Sequence, residues 1–331
     1  MLTNRQSDIL KLIVDEYIKL AKPVGSNLIC DELKCSSATI RSEMSILEDL
    51  GLLEKTHTSS GRIPSEIGYR YYVDHLMKLK EINGEDLIKL QTLFTNSQLQ
   101  LNDYITKSLE IISEMTTYTS IVLGSNAKDN CLKEIEVIPM NDGNLIIIVI
   151  TDKGHVEHKN IKVENVSLED IKQTVSLINN LIIGTPIEEV STKLEFEIKP
   201  IISKYVKDHE ILYNVFYNVF NNFKTDNINI VGKNNILKQP EFDNVDKIKD
   251  IFNKLDNVDT INNIEEIDNN INIYIGKENN LDDDMTVIKT KYNNGYDSGT
   301  IAIIGPKRMD YERVVQLLDY IKKTIEKKET R

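Results

Sequence analysis

The side chains best suited to chemistry in this chain gather between Ser36 and Asp74, in the stretch SSATIRSEMSILEDLGLLEKTHTSSGRIPSEIGYRYYVD. Ile40, Met44 and Leu47 recur at helical spacing and mark a face to be buried. At about 100° per residue, Ala38, Arg41, Ser42 and Ser45 fall near the opposite side. They are small or cationic, fit to enter a groove without steric conflict and to bond base edges there. Ser37 and Thr39 join the set at the helix start, where Ser36 or Ser37 can cap and leave backbone amides for a phosphate. Gly51 supplies the helix stop, and Leu52, Leu53 and Glu54 begin a strand. Then come His57, Thr58, Ser59, Ser60, Gly61 and Arg62, six residues without an apolar side chain. Every non-glycine member carries a hydrogen-bond donor. A chain can turn without such donor density, whereas a phosphate-binding loop uses it; the plain alternative is a solvated hairpin. Lys22, Lys55, Arg62 and Arg70 are candidate phosphate cations, weighed against ordinary surface charges, and His57 reads as a neutral hydrogen-bonding residue.

The elements that must position these groups follow from the pattern. Helix, short strand, polar hairpin, short strand and helix make the back half of a winged helix-turn-helix, in which one helix enters a DNA major groove and the hairpin touches the flanking backbone. Upstream, Thr3 opens a capping box with Gln6, and Ile9, Leu12, Ile13 and Tyr17 give a first helix its apolar face. Pro23-Val24-Gly25 is the break, Ser26 is expected to cap a second helix reaching about Lys34, and Cys35-Ser36 leads into the third. A helix over 68–80 carries Tyr69, Tyr72, Val73, Leu76 and Leu79. These segments predict a winged helix DNA-binding domain over 1–80. Helical phase resumes after Asn83-Gly84 with Leu87, Leu90, Leu93, Phe94, Leu101, Ile105, Leu109, Ile112 and Met115, read as connecting helices over 81–117.

The pattern then turns to strands at 118–123, 135–140, 145–150 and 155–163, with Asn141-Asp142-Gly143-Asn144 as a hairpin turn. The apolar run 145–150 belongs inside a sheet. Ser167 opens a helical block reaching about Phe223, in which Tyr213, Phe216, Tyr217 and Phe220 line a core or a subunit contact. Strand signals return at 228–231, an amphipathic helix holds Ile248, Ile251, Phe252 and Leu255, and the Asn/Asp-rich stretch 256–270 is expected to loop out. Further strands at 271–275, 285–292 and 300–304 precede a last helix capped by Asp310. Strands interrupted by helices and then resumed predict an α+β domain over 118–151 and 233–331 with an α-rich domain, 152–232, inserted in it.

Composition narrows the function. At 331 residues, two or three domains are expected. The net charge of −12 argues against indiscriminate coating of nucleic acid, yet residues 1–79 hold 10 Lys/Arg against 11 Asp/Glu and are nearly neutral. Cys30, Cys35 and Cys131 show neither a CxxC pair nor clustered histidines, so neither disulfide nor zinc is expected. The absence of a long apolar run or a cleavable leader predicts a soluble, cytoplasmic protein without membrane contact. There is no phosphate-binding glycine loop, no G-x-S-x-G and no metal-spaced His/Cys set. No catalytic residue, metal ligand or cofactor site is expected.

The 36–74 stretch closely resembles the signature of the HrcA family of bacterial heat-inducible transcription repressors, approximately S-S-A-T-I-R-N-D/E-M, G-L-L, H-T-S-A-G-R-x-P-T and G-Y-R-x-Y-V-D. Ser42 stands where that family usually has Asn, Thr56 where Pro is common, Ser60 for Ala and Ser65 for Thr. Asn can bond a base in two places and Ser cannot, which bears on the contact at 42. Segments 135–161, 234–242, 273–279 and 299–321 are similar too, so the resemblance runs nearly end to end. It implies three parts: the winged helix, a GAF-like α/β domain and a dimerisation domain inserted in it. It further implies a homodimer on double-stranded DNA bearing the inverted-repeat CIRCE operator of chaperone operons. The GroEL chaperonin is implied as a partner that brings the repressor to its active form, with repression lost on heat stress. A metabolite-gated repressor sensing through the GAF-like domain is the alternative; an enzyme carrying its own DNA reader is a more distant one.

Overall fold

The computed structural model describes residues 2–56, 61–79, 82–94, 101–123, 130–140, 144–152, 156–162, 167–205, 209–222, 228–257, 260, 264, 270–293 and 298–327. The chain forms two compact units. One comprises Met1–Val122, Ile228–Tyr292 and Thr300–Arg331; the other comprises Leu123–Asn227 and Asn293–Gly299.

The first unit opens with α1 (Asn4–Leu20), started by the predicted capping box between Thr3 and Gln6 and burying Ile9, Leu10, Ile13 and Val14. Then come α2 (Ser26–Leu33), α3 (Ser37–Asp49), β1 (Leu53–Lys55), β2 (Arg62–Pro64) and α4 (Glu66–Tyr71), which continues as a π turn over Tyr72–Leu76. Two local expectations change. The N-cap of α2 is Gly25, which offers no side chain, and Ser26 is its first residue. The helix expected over 68–80 starts at Glu66 behind the Ser65 cap and stops at extended Met77, leaving Leu79 62% exposed.

The chain continues through α5 (Gly84–Phe94), α6 (Leu101–Thr116) and β3 (Thr119–Leu123). The second unit supplies β4 (Leu132–Pro139), β5 (Asn144–Thr151), β6 (Val156–Lys162), α7 (Leu168–Ile182), α8 (Ile187–Lys193), α9 (Lys199–Tyr205) and α10 (His209–Asn222). The first unit resumes with β7 (Ile228–Val231), α11 (Val245–Leu255), β8 (Asn272–Ile275), β9 (Met285–Asn293), β10 (Ser298–Pro306) and α12 (Tyr311–Lys327).

In the first unit the strands order β7-β3-β10-β9-β8, with β8 antiparallel to β9 through Ile273↔Ile288. Counted in chain order within that unit, the sheet reads 2-1-5-4-3, a GAF-like α+β arrangement. Its central strands are buried along most of their length, as expected where helices and loops cover a sheet on both faces. Asp310 caps α12, and Val314, Val315, Leu317, Leu318 and Ile321 point inward as the sequence predicts. The helices read as connectors are core elements: Leu90, Tyr104, Ile105, Leu109 and Ile112 are fully buried. One apolar cluster runs without a break from Ile9 in α1 to Leu318 in α12, so the winged helix and the sheet domain share a core.

The second unit is a three-stranded antiparallel sheet, β4-β5-β6, with helices on one face. The apolar run 145–150 is its central strand. Leu145, Ile147 and Val149 are buried, whereas Ile146, Ile148 and Ile150 are half-buried on the other face. The domain boundaries therefore differ from those read in the sequence. Of 118–151, only β3 joins the five-stranded sheet; β4 and β5 pair with each other and with β6, so the inserted unit starts at Leu123, not 152, and ends at Asn227. Strands joined by short connections pair with each other before they pair with distant ones. Phe216 and Phe220 fill this unit's core. The 256–270 stretch is also not wholly looped out, because Ile264 is buried and its carbonyl accepts a bond from Lys289.

Candidate nucleic-acid interface

Helix α3 begins where Ser36 leaves extended backbone and accepts the Thr39 amide at 3.2 Å. Ile40, Met44 and Leu47 sink into the winged-helix core, which turns Ala38, Arg41, Ser42 and Ser45 outward, all exposed. The other two predicted members of the helix set are half-buried and bonded to neighbouring side chains. Thr39 is half-buried with its hydroxyl 2.9 Å from that of Ser36. Ser37 lies 2.8 Å from Ser26 Oγ and donates to Asn27 Oδ1 at 3.0 Å. Arg41 itself donates through Nε to Ser26 Oγ at 3.2 Å. Ser26 and Asn27 were missed in the sequence because Ser26 reads as a cap; its place one residue inside α2 frees the hydroxyl for α3.

The hairpin lies against the end of α3. β1 and β2 pair in the register Leu53↔Pro64, Glu54↔Ile63 and Lys55↔Arg62. The tip residues His57, Thr58, Ser59 and Ser60 lie outside the described residues. Gly61 is buried against Pro23, and a Cβ there would sit 2.8 Å from the proline's own Cβ, so the hairpin base needs a glycine. Arg62 exchanges both backbone hydrogen bonds with Val24 at 2.8 and 2.9 Å. Its guanidinium, with 14% of the side chain exposed, grips Glu48 Oε2 through Nε at 2.8 Å and Nη2 at 2.7 Å. Glu48 follows Arg41 by two helical turns on the same stripe of α3. The pair therefore does two jobs: it braces the hairpin, and it neutralises a carboxylate that would repel a phosphate backbone. Lys22 and Lys55 are exposed.

Arg70 does not join this surface. It bonds Glu278 through Nε at 3.2 Å and again through Nη2, the Ile273 carbonyl at 2.6 Å and Asp74 at 3.4 Å, tying α4 to β8 and the turn after it. Around it the reader is mounted on the sheet domain. Tyr69 and Tyr72 meet Tyr311 with ring centroids 6.0 and 6.4 Å apart. The Tyr72 phenol donates toward Asp15 at 2.9 Å and Glu312 at 3.3 Å, and Lys11 reaches Glu312 at 3.2 Å. Burial, reinforced by Asp15 and then Glu312, pushes the Tyr72 phenol far above its ordinary value, so it stays a neutral donor.

Comparison with known proteins agrees with this architecture. Residues 1–72 match the winged helix-turn-helix transcription repressor, HrcA DNA-binding family. Residues 102–315 match the HrcA protein C-terminal domain. The heat-inducible transcription repressor HrcA of Bacillus pumilus (strain SAFR-032) is 39% identical over 333 residues, covering 98% of this chain and 97% of its own. The crystal structure of a hypothetical protein at 2.2 Å resolution has the same fold, with a TM-score of 0.71 at 23% identity over 100% of this chain and 99% of that one. Among the described residues no helix is long and apolar enough to cross a membrane. With both parts matched by the family and a relative aligned nearly end to end, the chain belongs to the HrcA family of heat-inducible transcription repressors, DNA-binding winged-helix proteins and not enzymes.

Proposed function

We propose that the chain works in the cytoplasm as a homodimer on an inverted-repeat CIRCE operator, repressing chaperone operons, with its activity raised by the GroEL chaperonin and lost on heat stress. In this reading Ala38, Arg41, Ser42 and Ser45 enter the major groove, and the hairpin from His57 to Gly61 lies along the flanking phosphates. The observation that carries it is the outward stripe on α3, small residues around one arginine, set beside a hairpin that Arg62 and Glu48 hold against the same helix. An inverted repeat calls for two readers related by a dyad, an integral number of helical turns apart. A reader sharing its core with the body suits that requirement, since its placement then follows from how two bodies associate. The inserted unit is the proposed dimer contact: its open sheet face carries Ile138 and Val156, 43% and 56% exposed, around half-buried Ile146, Ile148 and Ile150. The test is a gel shift with a duplex carrying the CIRCE repeat, with the dimer mass fixed by sedimentation. Two chains per duplex, with GroEL restoring binding after a heat pulse, is the expected result. Single-chain binding, or recovery that ignores GroEL, contradicts it.

A further inference from the structure

Ser26 and Asn27 of α2 and Ser37 at the start of α3 form a relay that begins at the outward arginine of α3. Arg41 can only donate, so Ser26 Oγ accepts from Nε at 3.2 Å. Ser37 has a single hydroxyl proton and gives it to Asn27 Oδ1 at 3.0 Å. The 2.8 Å contact between the two serines is then donated by Ser26 and accepted by Ser37. Each hydroxyl donates once and accepts once, and the bonds run in one direction, Arg41 to Ser26 to Ser37 to Asn27, an arrangement in which each bond polarises the next. Ser26 is only 6% exposed, whereas Arg41 and Asn27 are exposed, so the relay has a buried centre and two ends at the surface.

We infer that Ser26 is a positioning residue for DNA recognition, holding the Arg41 guanidinium by its inner N–H so that the outer fork is presented ready for a bidentate acceptor such as the O6/N7 edge of guanine. A guanidinium carries five N–H donors in a rigid plane, and a bidentate base contact uses two on the outer nitrogens. Fixing Nε fixes the plane of that fork. No ion pair of Arg41 exists among the described residues, so the serine hydroxyl orients the cation without neutralising it. An acidic residue in its place would orient Arg41 equally well but weaken its charge toward the DNA. A side chain held in its bound rotamer also loses less entropy on binding.

The inference rests on the reading of α3 as the base-contacting helix, and the experiment separates the two. Binding of full-length protein is measured to a duplex carrying the CIRCE repeat and to a shuffled duplex of equal length, for wild type, Ser26→Ala, Ser26→Thr, Ser37→Ala and Arg41→Ala, each checked by thermal unfolding. Ser26→Ala is expected to lower the preference for the repeat roughly five- to twentyfold, with shuffled-duplex affinity and its salt dependence unchanged. Ser26→Thr, which keeps the hydroxyl, recovers most of the preference. Ser37→Ala, which cuts the relay one step further on, causes a smaller loss and serves if position 26 does not tolerate alanine. Adding Ser26→Ala to Arg41→Ala has no further effect on preference. A Ser26→Ala or Ser37→Ala loss that falls equally on both duplexes, or persists in full without Arg41, overturns the relay. Full preference in Arg41→Ala overturns the recognition reading itself, whereas loss there with silent Ser26 and Ser37 variants overturns the relay alone.

Discussion

At the scale of single residues, Arg41, Arg62 and Arg70 of the winged helix have three different occupations. Arg41 stands outward with its outer nitrogens toward solvent, Arg62 is spent on Glu48, and Arg70 on Glu278 and the Ile273 carbonyl. Arg41→Ala is expected to weaken binding to the inverted repeat by about 1–3 kcal/mol while leaving random-sequence binding nearly intact, read by parallel titrations of the two duplexes. Equal losses on both would show a phosphate contact instead. Arg70→Ala is expected to lower the thermal midpoint, because the half-buried Ile273 carbonyl and the Glu278 carboxylate lose their shared donor. It should leave the slope of log affinity against log salt unchanged. A slope reduced by about one would return Arg70 to the phosphate contacts that its sequence position suggested.

At the scale of elements, tight packing around glycine fixes how the hairpin meets α4. A Cβ on Gly68 would lie 2.1 Å from the Leu52 carbonyl oxygen, a backbone atom that cannot swing aside. Gly68→Ala is therefore expected to cost about 1–3 kcal/mol, seen as a lowered unfolding midpoint; an unchanged midpoint would mean the two segments are not in contact. In the sheet domain, burial alone would raise the Asp284 carboxyl, but Lys247 at 2.6 Å and Lys307 at 3.2 Å outweigh it and hold the group below the usual carboxylate range. A depressed carboxyl stabilises the fold fully above its unfolded value near 4 and loses that contribution as pH falls through the native value. Asp284 is half exposed, so screening keeps the effect below about 1 kcal/mol. Acid unfolding of Lys247→Met should show a flatter limb below about pH 4, and an unaltered limb would discount the pair. These elements also show what the sequence could reveal. The phase of Ile40, Met44 and Leu47, the Thr3 and Ser167 caps and the hairpin polarity are local signals, and the helices and strands stand where those signals put them. The partners of Arg62 and Arg70, at Glu48 and Glu278, depend on tertiary placement that no local spacing encodes. The same holds for the edge of the inserted unit. It turns on whether β4 pairs with β5 or with the distant sheet, and both choices satisfy the same apolar alternation.

At the scale of the whole molecule, the reader and the GAF-like domain are one body with one core, and strands β4, β5 and β6 of the second unit form a sheet of their own. A reader so mounted cannot adjust its reach on a tether. In the dimer proposed above, its spacing on DNA would follow from the association of two chains, which is where an assisted refolding step would act on repression. Most of this architecture is held by apolar burial with a small net stability, so a loss of about 1–2 kcal/mol on heating lowers the folded-to-unfolded ratio about 5- to 30-fold. The measurement that bears most directly on the account is a hydroxyl-radical footprint of the purified protein on a duplex with the CIRCE inverted repeat, run beside Arg41→Ala. Two symmetric protected half-sites on one face of the DNA, faded in the variant, are the predicted result. A single unpaired patch, or protection indifferent to the sequence and to Arg41, would contradict it.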